Sequence, residues 1–132
     1  MGSTQVDASK TAAEIVGELV KSGAKSINTD YANGKIVGIR WIMRVADTDQ
    51  LFDMPIRVEP VMKKISNREQ AEKVAWRQLL RWVQAQNAMI EQGMAQAAEV
   101  YFAFYVPNPQ IGRTLFAELS ERQFKALPAT AS

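Results

Sequence analysis

The chain has 132 residues, a length at which one hydrophobic core forms without disulfides or metal ions. Hydrophobic residues make up 47% of the chain, charged residues make up 23%, and the net charge is +2, which is typical of a soluble globular domain. The chain has no Cys and no His, which excludes disulfides, thiolate nucleophiles, the usual zinc sites and imidazole proton shuttles. Glycine-rich phosphate loops and nucleophile elbows are also missing from the sequence, so we predict neither an enzyme nor a cofactor or metal site.

The two ends of the chain carry little structural signal. Residues 1–10 are small and polar, and we expect them to be disordered, with a loose tail at 128–132. No apolar run reaches the ~18 residues of a membrane span, and residues 1–10 lack the apolar core of a signal peptide. We therefore predict a single domain over 11–127, no membrane partner and a cytoplasmic location.

A helix followed by a three-stranded antiparallel meander is predicted for the first half of the chain. Thr11 and Glu14 match a capping box before a helix at 12–22. Asn33-Gly34 then favours a type I′ hairpin turn between strands at 27–31 and 36–45. Alternation in the second strand predicts one face with Val37, Ile39, Trp41, Met43 and Val45, and another with Ile36, Gly38, Arg40, Ile42 and Arg44.

The third strand is predicted over 51–58, after a polar turn at 46–50. Alternation places Arg57 on one side with Leu51, Asp53 and Pro55, and the other side then carries Phe52, Met54, Ile56 and Val58. Pro55 cannot donate to a ladder, so it indicates an edge strand or a bulge.

The longest predicted element is a helix over 68–94, opened by a capping box of Ser66 and Glu69 after a short turn at 60–65. Gly93 ends or bends it. One broad side is apolar and requires a core, with Ala71, Ala75, Trp76, Leu79, Trp82, Val83, Met89, Ile90 and Met94. The opposite side carries cations at i, i+4 and i+8, namely Lys73, Arg77 and Arg81.

The C-terminal part is predicted as shorter helices. Residues 95–106 favour a helix, with a strand over 100–106 as the alternative. Two prolines around residue 108 then interrupt regular structure, and a last helix is predicted over 114–125, with Leu115, Phe116, Leu119 and Phe124 facing inward. The predicted fold class is α+β: an N-terminal helix, a three-stranded meander, a long helix on one sheet face and shorter C-terminal helices.

Several short sequence segments resemble those of a family of small uncharacterised proteins of tailed bacteriophages and prophages. Among them are Lys-Thr-Ala-Ala-Glu-Ile at 10–15, Met-Pro-Ile-Arg-Val at 54–58, Val-Ala-Trp-Arg at 74–77 and Trp-Val-Gln-Ala-Gln at 82–86. The resemblance implies phage ancestry, the host cytoplasm and a place among DNA-metabolism genes, and it carries over no catalytic residue. The meander and long helix are also similar, as a fold, to single-strand annealing proteins of recombination, although this chain is shorter and lacks an obvious long basic loop.

Two groups of cations are candidate binding residues. The stripe of Lys73, Arg77 and Arg81 would let a strand of phosphates follow the helix, with release of counterions. Its alternative is a solvated helix face in which Glu69 pairs with Lys73. The second group, Arg40, Arg44 and Arg57, shares one predicted sheet face, where Tyr31 nearby would add a stacking surface. Its alternatives are ion pairing with Asp53 and other carboxylates, or a protein interface.

Two further groups have simpler interpretations. Trp76 and Trp82 lie at helical spacing and are expected to pack in the core. Asp47, Asp49 and Asp53 could hold a divalent ion and support carboxylate-based enzyme chemistry, but polar turns use Asp for their own backbone hydrogen bonds.

These patterns predict a non-enzymatic accessory of phage DNA metabolism or recombination. We expect it to bind single-stranded nucleic acid through the sheet arginines and the helix stripe, as a homo-oligomer. The alternative is a protein-interaction or structural module that acts on a phage or host protein complex through the apolar stretch 100–106 and the sheet edge.

Overall fold

The structure is a computed structural model that describes residues 2–122, with side chains described from residue 7 onward. Its fold is α+β, as predicted, with an antiparallel sheet in the order β1-β2-β3-β4. The elements are α1 (Gly2–Lys21), β1 (Lys25–Ala32), β2 (Lys35–Val45), β3 (Thr48–Pro55), α2 (Glu59–Met62), α3 (Arg68–Glu91), α4 (Ala97–Val100), a 3₁₀ turn (Phe102–Phe104), β4 (Tyr105–Val106) and α5 (Leu115–Glu121). The short strand β4 adds to the predicted meander.

Helix α1 begins ten residues before its predicted start, so the expectation of disorder over 1–10 and of a cap at Thr11 is wrong for the described residues. Ala8 and Ala12 are buried, and Thr11 lies within the helix at 9% exposure. The carboxylate of Asp7 lies 3.2 Å from Lys73 Nζ of α3. Contacts with a neighbouring helix therefore extend α1 through residues whose own helix signal is weak. The tail predicted at 128–132 lies outside the described residues.

Both hairpin turns use the left-handed backbone region. Asn33 and Gly34 have φ of 53° and 77°, which confirms the predicted turn. The second turn is tighter than predicted, because Ala46 and Asp47 have φ of 51° and 68° and β3 already starts at Thr48. The Thr48 hydroxyl donates to the carbonyl oxygen of the residue before the turn at 2.9 Å.

Strand β2 contains a bulge at Val37 that changes which residues face the core. Asp30 pairs with Gly38 and Tyr31 pairs with Ile36, so Val37 has no partner in β1. Ile36 is buried and Val37 is 38% exposed, the reverse of the predicted alternation. Beyond the bulge the predicted core face is confirmed, with Ile39, Trp41 and Met43 buried.

Helices α1 and α3 cover this face of the sheet and run in the same direction, since Asp7 contacts Lys73 and Glu18 contacts Asn87 further along. Trp41 lies at the centre of the core. Its ring stacks on Phe52 with centroids 5.6 Å apart and meets the edge of Tyr101 at 5.5 Å. Aromatic burial of this kind contributes much of the hydrophobic stabilisation of a small domain.

Helix α3 matches its prediction with changes at the N-terminus and on the apolar side. Its N-cap is Asn67, whose side chain accepts from the backbone N–H of Gln70 at 2.9 Å, and not Ser66. Trp76 is buried, as predicted. Exposed fractions of 36%, 37% and 66% contradict the core prediction for Trp82, Met89 and Met94 respectively. The helix ends at Glu91, just before Gly93 with φ of 76°.

The C-terminal part combines the two alternatives for 95–106. The helix is confined to Ala97–Val100, and Tyr105–Val106 pairs with Leu51 and Phe52 of β3. Helix α5 begins after Thr114, whose hydroxyl accepts from the backbone N–H of Ala117 at 3.1 Å. Phe116 was predicted to face inward but is 45% exposed, and Phe124 lies outside the described residues.

Gly38 is required by the close approach of β3. A Cβ at this position would lie 3.0 Å from the Met54 carbonyl oxygen and 3.2 Å from Pro55 Cα. We expect Gly38→Ala to lower the free energy of unfolding by about 1–3 kcal/mol, because backbone must shift. Gly17→Ala is the matched control: its added Cβ meets nothing within 4 Å, and Ala stabilises a helix interior by about 0.5–1 kcal/mol. Urea unfolding of both variants checks the prediction, and equal stabilities would contradict it.

A buried polar network joins the two covering helices to Tyr101. The Asn87 amide donates to the Glu18 carbonyl oxygen at 2.7 Å and to Glu18 Oε1 at 2.8 Å. Asn87 Oδ1 accepts from the hydroxyls of Ser22 and of Tyr101, the latter at 3.5 Å. Burial raises the pKa of Tyr101 to about 12; a hydrogen bond with Ser22 partly offsets this rise, and the Glu18 carboxylate adds to it.

This pKa predicts a loss of stability at high pH. The unfolded phenol ionises near its ordinary pKa of 10.0, whereas the folded one holds its proton until about 12. The stabilisation is therefore complete below pH 10 and lost as the pH rises from 10 towards 12. Phenolate absorbance should show one of the three tyrosines titrating late in the wild type, and Tyr101→Phe should remove that step. Three tyrosines that titrate together near their ordinary pKa would contradict the prediction.

Candidate functional site

The exposed side of α3 carries the predicted stripe of cations. Lys73 pairs with Asp7 of α1 at 3.2 Å rather than with Glu69, and its side chain is 28% exposed. Arg77 and Arg81 are exposed, and within residues 7–122 neither has a carboxylate oxygen within 4.0 Å. The two guanidinium groups are therefore free to bind an anion.

Helix α1 completes a groove beside this stripe, which we call the α1–α3 groove. It has a volume of about 340 Å³ and is lined by Asp7, Lys10, Thr11, Glu14, Arg77, Leu80, Arg81 and Gln84. The parallel packing of the helices places Asp7, Lys10 and Glu14, spaced by helical periodicity, along its other wall. Lys10 was missed by the sequence-based prediction, because residues 1–10 were expected to be disordered. Helical continuation of the 12–22 pattern towards the N-terminus was the signal that could have identified it.

The lining of the α1–α3 groove is positive overall. Lys10, Arg77 and Arg81 supply three positive charges, and two carboxylates, those of Asp7 and Glu14, oppose them, which leaves +1. Asp7 also pairs with Lys73, which lies beside the groove and is not part of its lining. The groove therefore attracts an anion.

The sheet arginines lie in a different electrostatic environment. Arg40 Nε donates to Asp30 at 3.0 Å, and the Asp53 carboxylate is 3.8 Å away. Arg44 lies 3.9 Å from Asp49. The antiparallel register pairs Arg40 with Asp53 and Arg44 with Asp49, so each cation faces an acid across the strands. This is the ion-paired alternative raised for these residues.

Arg57 does not join the other two arginines. Gly38 pairs with Pro55, so Arg57 lies beyond the end of the ladder, whereas Arg44 lies at the opposite end of β2. The strand between Gly38 and Arg44 alone spans roughly 20 Å at about 3.3 Å per residue. Arg57 instead places its guanidinium carbon 5.7 Å from the ring centroid of Phe116 in α5. The three arginines predicted to share one sheet face therefore do not form a single binding surface.

The carboxylates of the second hairpin are also spread out. Asp47 lies in the turn, while Asp49 pairs with Lys25 at 3.1 Å and Asp53 lies beside Arg40. Burial raises the pKa of Asp53; Arg40 partly offsets this rise and Asp30 adds to it. In the described part of the chain, no group of three or more His, Cys, Asp or Glu residues is placed to hold a metal ion.

The apolar stretch predicted as a protein interface is divided between core and surface. Tyr101 and Val106 are buried, whereas Phe102 is 57% exposed and stacks on Tyr105 with ring centroids 6.3 Å apart. Over residues 2–122, none of the helices has the length and apolar character needed to cross a membrane.

Comparisons with protein-family models, curated proteins and solved structures each give no match. The resemblance to phage proteins and to single-strand annealing proteins therefore stays a prediction.

The two acids around Arg40 should differ in their effect on stability. The raised pKa of Asp53 means that the folded chain binds its proton more tightly, so the contribution of this group to stability is full below pH 3.8 and lost as pH rises through the folded pKa. We expect Asp53→Asn to raise the free energy of unfolding at neutral pH, with the gain disappearing below pH 3.8. Asp30→Asn loses the 3.0 Å hydrogen bond from Arg40 and should lower the free energy of unfolding by about 0.2–1 kcal/mol. Urea unfolding at both pH values measures this, and a destabilised Asp53→Asn at neutral pH would contradict it.

Proposed function

We propose that this chain is a non-enzymatic accessory of phage DNA metabolism that binds the phosphate backbone of single-stranded nucleic acid in the α1–α3 groove. The observation that carries the proposal is the pair of exposed guanidinium groups, Arg77 and Arg81, without a carboxylate partner among residues 7–122. Lys10 faces them across the groove. The phage origin is supported only by the short sequence segments that resemble phage proteins.

The spacing of the cations favours a chain of phosphates over a small anion. Lys73, Arg77 and Arg81 follow one another at about 6 Å along the helix axis, since each is four residues further at about 1.5 Å per residue. A single line of cations suits one strand of nucleic acid. The groove is also lined mainly by polar and charged side chains, with Leu80 as its one large apolar residue in the described part.

The groove contains no aromatic side chain among the described residues, so it offers no stacking surface for bases. Backbone contacts without base contacts give binding that does not depend on sequence. The stripe from Lys73 to Arg81 covers only about 12 Å of the strand. Tight binding therefore needs several copies on one strand, which is the reason we retain the predicted homo-oligomer.

Salt dependence of oligonucleotide binding tests this proposal. Three free cations, Lys10, Arg77 and Arg81, should give a slope of about −2 for the logarithm of the association constant against the logarithm of salt concentration. Single changes of these residues to Ala should each reduce the slope by about 0.7. The measurement is fluorescence anisotropy of a labelled single-stranded oligothymidine between about 50 and 200 mM salt, with an equal-length duplex as competitor.

Arg44→Ala is the matched control, because it removes the same charge from an exposed side chain that already lies near Asp49. It should leave both the affinity and the slope unchanged. An Arg44→Ala variant that weakens binding as much as Arg77→Ala would refute the groove, as would no binding at about 50 mM salt. Preference for the duplex would refute the single-strand assignment.

A further inference from the structure

A second, apolar groove lies on the other side of α3, next to the residues that follow β3. Its volume is about 290 Å³. Its apolar walls are formed by Ile56, Val61, Ala75, Leu79, Trp82 and Phe104. Pro55 and two polar side chains, those of Arg57 and Gln78, complete the lining, and no carboxylate is part of it among the described residues.

The wall of this groove is held in place before anything binds. The Trp82 ring meets the edges of Tyr101 and Phe104, with centroids 5.6 Å and 5.9 Å away. Trp82 nevertheless remains 36% exposed, although the pattern of α3 predicted it in the core. A fixed, partly exposed tryptophan above apolar side chains is the type of residue that contributes most to protein interfaces.

The charges around this apolar groove are positive. Arg57 is exposed, and within residues 7–122 no carboxylate oxygen lies within 4.0 Å of its guanidinium group. The guanidinium carbon lies 5.7 Å from the Phe116 ring centroid, within the range of a cation–π contact, and a guanidinium in such a contact can still donate hydrogen bonds along its edge. Gln78 also lines an adjoining hollow with Arg77 and Arg81, so further cations lie on the opposite rim. The charge that complements this rim is negative.

We propose that this groove docks an acidic peptide segment of a partner protein, with one aromatic or aliphatic side chain in the groove and a neighbouring carboxylate on Arg57. The volume lies near the lower limit of about 300 Å³ for ligand pockets, which suits one large apolar side chain. The carboxylate accepts from the guanidinium in a charge-assisted hydrogen bond. This inference does not depend on nucleic-acid binding, because Arg57 lies outside the α1–α3 groove.

Fluorescence polarisation with the full chain and three labelled hexapeptides tests the proposal. The probes are Glu-Glu-Leu-Phe-Glu-Glu, its neutral counterpart Gln-Gln-Leu-Phe-Gln-Gln and the apolar-free Glu-Glu-Ser-Ser-Glu-Glu. The first should bind about tenfold more tightly than either of the others, because only it matches both the apolar wall and the cationic rim. Equal binding of the acidic and neutral probes would overturn the proposal, and so would no binding of the acidic probe to the full chain.

Variants at the rim identify the site without disturbing the core. Arg57→Gln should weaken binding of the acidic probe about tenfold and leave the neutral probe unchanged. Gln78→Glu, at an exposed helical position, should also weaken the acidic probe, and Gln78→Lys should strengthen it. Arg44→Gln is the matched control and should have no effect. Unchanged binding in both Arg57→Gln and Gln78→Glu would overturn the proposal.

Two further measurements distinguish the apolar groove from the α1–α3 groove and from a self-association surface. Lys10→Ala should leave peptide binding unchanged, and Arg57→Gln should leave oligonucleotide binding unchanged; a loss in both assays for either variant would overturn the separation of the two sites. Sedimentation of the wild type and of Gln78→Glu tests a second copy as the occupant. An oligomer that dissociates in Gln78→Glu would overturn the peptide proposal and assign the groove to self-association.

Discussion

The parallel packing of α1 on α3 is the constraint on which the proposed nucleic-acid site depends. Asn87 joins the two helices by donating to both the backbone and the side chain of Glu18. Because Asn87 is 4% exposed, losing these hydrogen bonds would leave a buried amide without partners, which costs about 1–3 kcal/mol. The alignment of the helices is thus strongly specified, and it places Lys10 opposite Arg77 and Arg81.

The sheet shows why a count of arginines is a poor guide to an anion site. In an antiparallel ladder, residues on neighbouring strands lie directly opposite each other, so alternation on β2 and β3 places arginines against aspartates. These acids cancel the charge of the arginines on the exposed face of the sheet. On α3 the neighbours of Arg77 and Arg81 at i±3 and i±4 include no carboxylate. The same residue type is therefore neutralised on the strand and free on the helix.

The sequence predicted well the elements that depend on local patterns. It predicted poorly the features that depend on contacts between distant elements. Asn33-Gly34 and the apolar period of α3 were sufficient to identify a hairpin and a long helix, because both signals are local. The Val37 bulge and the start of α1 depend on contacts with distant elements, which one chain's pattern does not contain. For the candidate site, Arg77 and Arg81 were identified by spacing alone. Lys10 was missed because residues 1–10 were expected to be disordered, although α1 continues through them from residue 2.

Helix α3 forms a ridge between the two proposed binding grooves, and its cations lie near both. Arg77 and Arg81 line the α1–α3 groove and also the hollow that shares Gln78 with the apolar groove. A change of Arg77 or Arg81 therefore alters the charge beside both grooves at once. Lys10 lines the α1–α3 groove alone and Arg57 lines the apolar groove alone, so these two residues distinguish the two sites.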